Sequence, residues 1–256
     1  MQTNDQELAA YGRGTTFEIP EGMNYIRSGS YWQVGQRQTV WFDNGWNFFD
    51  ANWSPNGVIC WNRTAMEGAA FSGDPLSSKD KKGRACQVID LYIDDLLKQG
   101  IRYAVWNILC FSHIPFSAVD EVVGTLQWGE DAQSGGIYEP SRAQFVSPIA
   151  GDNLTKFILY VDLVERKVVF MDANLKGNVS SAGANNGILS QQMPAFVEYL
   201  NTLPSVYDLF RHADGGNIPV VYSDRDREIA DNQMAYVFRT ENENNKFQQL
   251  DLTKFL

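Results

Sequence analysis

The run IRYAVWNILCF, residues 101–111, limits the fold more than any other stretch of the chain. Gly100 closes it on one side and Ser112 on the other, and apolar side chains fill nearly every position between them. It is too short to cross a bilayer as a helix, which takes about 20 apolar residues. Its aromatic and β-branched content suits a strand covered on both faces. The expectation is a central strand with Val105, Trp106 and Ile108 buried.

The flanking text supplies the rest of a sheet protein. FEIP begins at Phe17 and EGMNYIRSGSYW follows, with Gly22 and Gly29 as punctuation. Residues 40–53, VWFDNGWNFFDANW, place Trp46, Phe48 and Phe49 on a packed strand. Ser54-Pro55-Asn56-Gly57 predicts the turn of a hairpin that continues into Val58-Ile59-Cys60-Trp61. Residues 94–100 read as a helical turn closed by Gly100. Strands are expected over 119–128 and 143–149, and a hairpin joins 156–162 to 167–172 around Glu165-Arg166. Roughly eight to ten strands with few helices make the expected fold class mainly β, a two-layer antiparallel β-sandwich.

The character changes at Asn174. NLKGNVSSAGANNGI, residues 174–188, reads as a loop or linker. A helix is expected over 191–202, with Phe196, Val197 and Leu200 at helical spacing and Pro194 in its first turn. A second short helix is expected over 204–210, and strands over 220–222 and 234–239. The domain reading is a flexible arm at 1–16, a sandwich at 17–175, and a small α+β extension at 176–256 packed on the sandwich.

A net charge of −10 argues against a nucleic-acid partner, which requires a basic footprint. No apolar run is long enough for a membrane span, and the opening MQTNDQELAAYGRG lacks the pattern of a secretory signal. Cys60, Cys86 and Cys110 each sit in an apolar run and read as buried free thiols of a reducing compartment, so a cytoplasmic location is expected.

Candidate chemistry concentrates in residues 71–94, FSGDPLSSKDKKGRACQVIDLYID, read as strand, long loop, strand. Gly73 permits a sharp bend at Asp74 and Pro75 stops the strand. Carboxylates at loop mouths above a sheet are what calcium requires, since it takes six to eight oxygen ligands. Aspartates are also good turn formers, and that reading stays open. His113 and His212 have no motif around them, and no nucleophile elbow, Walker loop or dinucleotide fingerprint occurs, so no catalytic residue is assigned. The acidic run 224–228 resembles an EF-hand start but has Ile229 where glycine belongs. The seven tryptophans read mainly as core rather than as a sugar-stacking platform.

In order along residues 17–175, several short motifs resemble the tellurite-resistance TerD-like family. MNYIRSGSYW is similar to the family's Arg-to-Trp strand, and WFDNGWNFFD to its Asp-x-Asp and following strand. FSGD is similar to its Ser/Thr-Gly-Asp, and QVIDLYI to its Val-Asp-Leu strand. FSHIPFSAVDEV and FILYVDLVERKVVFMDA match its later half. The resemblance implies a calcium-binding β-sandwich linked to stress response and defence, without settled enzymatic activity. It makes Asp43, Asp74 and Asp90 the expected metal ligands. Trp41 replaces the family's first aspartate, and Gly83-Arg84-Ala85 replaces its Asp-Asp-Glu. Asp50, Asp80 or Asp95 are the residues that could compensate. With fewer carboxylates the expected calcium is weak or lost, and Arg84 is expected to supply fixed positive charge instead. The expected function is a non-enzymatic binding or scaffold module with protein partners. The rivals are a metal-assisted hydrolase built on the aspartates and a sugar- or peptide-binding sandwich.

Overall fold

Alternating apolar positions along twelve strands build two antiparallel sheets, seen in a computed structural model. It describes residues 11–34, 40–73, 84–132, 143–173, 175 and 177–204, and the backbone of three short strands beyond. The chain divides into two compact units, Met1–Leu200 and Asn201–Leu256.

In chain order the first unit contains β1 (Thr16–Glu18), β2 (Tyr25–Gln33), β3 (Phe42–Phe49), β4 (Pro55–Ile59), β5 (Ala65–Met66) and β6 (Ala69–Phe71). Next come β7 (Arg84–Tyr92), α1 (Ile93–Lys98), β8 (Tyr103–Cys110), β9 (Glu121–Gly129) and β10 (Phe145–Pro148). The hairpin β11 (Thr155–Asp162) and β12 (Lys167–Ala173) precedes a 3-10 turn at Ala182–Asn185 and α2 (Asn186–Thr202). One sheet runs β1-β12-β11-β8-β3-β4 and the other β10-β9-β2-β7-β6-β5.

The expected central strand is β8, flanked by β11 and β3, with Val105, Trp106 and Ile108 fully buried. Trp106 stacks on Trp46 with centroids 5.8 Å apart. Both indole N–H groups are satisfied between the sheets: Trp46 donates to Ser28 Oγ at 2.8 Å and Trp106 to Asn44 Oδ1. A buried indole retains a partner here because leaving its N–H unmet costs about 1–3 kcal/mol. The core is therefore aromatic with a thin polar seam of Ser28, Asn44 and Gln87.

Four expectations change. The hairpin between β3 and β4 turns at residues 50–54, ahead of the Pro-Asn-Gly triplet. Asp50 Oδ1 accepts from the backbone N–H groups of Asn52 and Ser54 at 2.8 and 2.9 Å, which closes the turn locally. Pro55, Asn56 and Gly57 lie within β4, and Gly57, at φ 138°, absorbs the register shift opposite Phe48 and Phe49. At the N-terminus, Tyr11 is buried against Phe17, Phe145 and Phe170, so the described end of the expected arm is packed.

The remaining two concern the region after β12. Much of the expected linker 174–188 is structured: it enters the 3-10 turn and then α2, which begins at Asn186. Pro194 consequently sits inside α2 rather than in its first turn, and is exposed. Leu189, Met193 and Leu200 are the buried positions of the helix.

The second unit, taken by itself, contains β13 (Val221–Tyr222), β14 (Ala235–Tyr236) and β15 (Lys246–Phe247), paired in parallel in that order. The expected helix at 204–210, the acidic run 224–228 and His212 lie outside the described residues.

Candidate binding site

Of the aspartates expected to share a cation, the described Asp43 and Asp90 lie apart. Asp90 lies on the outer side of β7, between Ile89 and Leu91, which enter the core. Its neighbour across the ladder is Arg27 of β2. Arg27 Nε donates to Asp90 Oδ1 at 2.7 Å and Nη2 to Oδ2 at 2.9 Å, a two-pronged pair, while the Tyr25 hydroxyl donates to Oδ1 at 2.7 Å. Burial, then the bond to Asp90, raises the Tyr25 hydroxyl pKa, and the same carboxylate raises that of Arg27. Asp90 is thus neutralised and three times hydrogen-bonded.

Asp43 is buried on the opposite outer side of the sandwich, on β3 next to core-facing Phe42. Two sheets packed about 10 Å apart lie between it and Asp90. Asp50 is committed to its turn. Asp74 and Asp80 lie outside the described residues. Asp95 lies on α1, paired with Lys98 Nζ at 2.7 Å. Asp43, Asp50, Asp90 and Asp95 do not come together around one cation, since no group of three acidic, His or Cys side chains forms among the described residues. Arg84 is exposed at the start of β7, about 20 Å along the strand from Asp90. The guanidinium that neutralises Asp90 is Arg27, which a reading focused on carboxylates overlooked. Its signal was present in IRSGS, where an arginine alternates with core residues and needs an outward partner.

A different group of residues converges where the segment before α2 crosses the outer side of β3, β4 and β8. Gly45 admits that crossing. A Cβ on Gly45 would stand 2.3 Å from Ala182 Cβ, so only glycine allows the two backbones so close. A ladder of asparagines fixes the contact. Asn47 Nδ2 donates to the Ala182 carbonyl at 2.8 Å and to Asn186 Oδ1 at 2.6 Å, and Asn107 Nδ2 donates to Asn47 Oδ1 at 3.0 Å. The Ala182 carbonyl can only accept, so it sets the orientation of Asn47, which in turn fixes those of Asn107 and Asn186. Asn107 Oδ1 is left buried without a partner. Farther along, Ser190 Oγ donates to the Trp53 carbonyl at 2.7 Å.

At the rim of this crossing lies a cavity of about 180 Å³, lined by Val58, Asn62, Arg63, Ser181, Gly183 and Asn186. Asn62 and Arg63 come from a tight turn closed by two backbone bonds between Cys60 and Arg63, at 3.0 and 2.9 Å. The Cys60 thiol donates to Asn62 Oδ1 at 3.0 Å. Burial pushes that thiol's pKa up, opposed by the backbone N–H groups of Asn62, Gly183 and Arg63 around the sulfur. Beside the cavity, Trp61 is 39% exposed and Phe111 48%, with their rings in edge contact at 6.4 Å. Trp61 Nε1 donates to the Ser180 carbonyl at 3.2 Å, joining the aromatic pair to the crossing segment. Trp32, Trp46, Trp53 and Trp106 are buried, as expected of core residues. His113 is exposed in the turn after β8. The sequence reading placed Val58 on a strand and gave none of the cavity residues a binding role. Asn62 and Asn186 look there like ordinary loop residues.

No helix among the described residues is long and apolar enough to cross a membrane. Neither a protein-family model nor a curated protein matches the chain. Among solved structures, the chain is similar to a homologue of telluride resistance protein (TerD) from Streptomyces coelicolor A3(2), at 12% identity and a TM-score of 0.47, over 64% of this chain and 95% of that one.

Proposed function

We propose that the protein is a non-enzymatic binding module of the stress-response, tellurite-resistance kind, cytoplasmic, and that it takes a polypeptide partner at the Trp61–Phe111 face. The observation that carries the reading is the exposure of these two touching aromatics beside a polar cavity, in a chain whose other tryptophans are mostly buried. Aromatic side chains are enriched among the residues that carry most of the binding energy of protein interfaces. A sugar platform would call for several exposed tryptophans in one groove, and Trp61 has a phenylalanine for its neighbour. A hydrolase would place a carboxylate or imidazole at the cavity, whose lining contains neither. The calcium site is proposed to be degenerate, since Asp90 is spent on Arg27 and Asp50 on its turn.

Selection of a displayed peptide library on the full chain tests the reading. Selected peptides should lose about tenfold affinity or more when both Trp61 and Phe111 are changed to serine. Peptides that bind the native chain and ignore both substitutions would overturn it.

A further inference from the structure

We infer that the cavity between the Cys60–Arg63 turn and Asn186 is a carboxylate-binding site. The inference starts from two side-chain amides whose oxygens are already used. Asn62 Oδ1 accepts the Cys60 thiol proton, and Asn186 Oδ1 accepts from Asn47 Nδ2. Each amide therefore keeps its NH₂ group for the cavity that both residues line. Neither NH₂ group donates to a described residue. The orientation of Asn186 is not arbitrary, because the Ala182 carbonyl fixes it through Asn47.

The other polar members agree. The Arg63 guanidinium meets no carboxylate among the described residues, and the Ser181 hydroxyl makes no capping bond to the helical turn that follows it. The lining thus offers a guanidinium, two amide NH₂ groups and a hydroxyl, with Val58 as its apolar wall. Such a set matches an acceptor-rich, negatively charged group. The single positive charge favours a carboxylate over a phosphate dianion, the more so in a chain of net charge −10. The carboxylate comes either from an acidic residue or chain end of the polypeptide partner, which rests on the reading above, or from a small free acid.

Acetate titrated into the ¹⁵N-labelled full chain, with chloride at matched ionic strength as control, tests the site. Saturable shifts are expected in the side-chain NH₂ resonances of Asn62 and Asn186 and the Nε–H of Arg63. Asn186→Asp retains an oxygen for Asn47, and Asn62→Asp retains one for the Cys60 thiol, so each change turns only the cavity-facing donor into a repelling oxygen. Each should weaken acetate by about tenfold or more. If Asn186→Asp fails to fold, Asn62→Asp on the exposed turn decides the matter. Absence of saturable shifts, unchanged affinity in the folded variants, or inorganic phosphate binding more tightly than acetate would each overturn the site. Selected peptides that depend on Trp61 alongside silent acetate titrations would remove the carboxylate site alone. Acetate binding without such peptides would support the site, assign it to a free acid and remove the polypeptide reading.

Discussion

In the sheet that contains β8, strands β3 and β11 are buried at every position; in the other sheet, β2 and β7 mix buried residues with half-buried ones, and Arg84 at the start of β7 is exposed. The first sheet's outer face lies under the crossing segment and α2, which meet it through Gly45, Asn47 and Trp53. On the second, the outer face presents Tyr25, Arg27, Cys86 and Asp90, and its strongest described feature is an ion pair. The comparison teaches that a chain segment rich in Gly, Asn and Ser can seal a sheet. It does so by close backbone approach and oriented amides, where a helix usually uses an apolar stripe.

The largest expected effect belongs to the core shared by both faces. Trp106→Ala removes the stacked partner of Trp46 and orphans Asn44, and should cost about 3–5 kcal/mol, measured by chemical denaturation. A cost under about 1 kcal/mol would mean that the indole is not packed between the sheets.

A pair of glycines sharpens the contrast between the faces. In Gly45→Ala the new methyl meets Ala182 Cβ, which no side-chain rotation can move, and the expected cost is about 1–3 kcal/mol. In Gly29→Ala the methyl meets Thr125 Oγ1 at 2.7 Å, and a threonine can rotate its hydroxyl away. Its expected cost is below about 1 kcal/mol, partly offset by the reduced freedom of the unfolded chain. Equal costs would remove the distinction.

The smallest effect is alkaline. Burial pushes the Cys86 thiol from its ordinary 9.0 up to about 11. The folded form holds this proton to higher pH, so the contribution is complete below pH 9 and is lost as pH rises toward 11. Cys86→Ala should flatten that part of the stability profile, and an unchanged slope would count against burial of the thiol.

Much of the sandwich was legible because apolar alternation and the unbroken run of β8 depend only on burial. The β3–β4 turn was misplaced because Asn-Gly is a good turn signal, yet the Asp50 carboxylate supplies a local closure four residues earlier. The segment before α2 looked like a linker because buried asparagines are indistinguishable in sequence from solvated ones. Asn47, Asn107 and Asn185 are all fully buried, and only their partners explain why. The candidate site stayed hidden for the same reason. Its donors are defined by which oxygen each amide has already used, and residue identity does not encode that.

Thiol labelling most directly tests the claim that the crossing segment seals the first sheet. Cys60 lies under the segment, Cys110 in the core, and Cys86 half-buried on the other sheet's outer face. In the native chain Cys86 should react about 100-fold faster than Cys60 or Cys110, since reaction at the latter two waits for opening. Gly45→Ala should raise the rate at Cys60 and leave Cys110 protected. Native Cys60 reacting as fast as Cys86 would contradict the account.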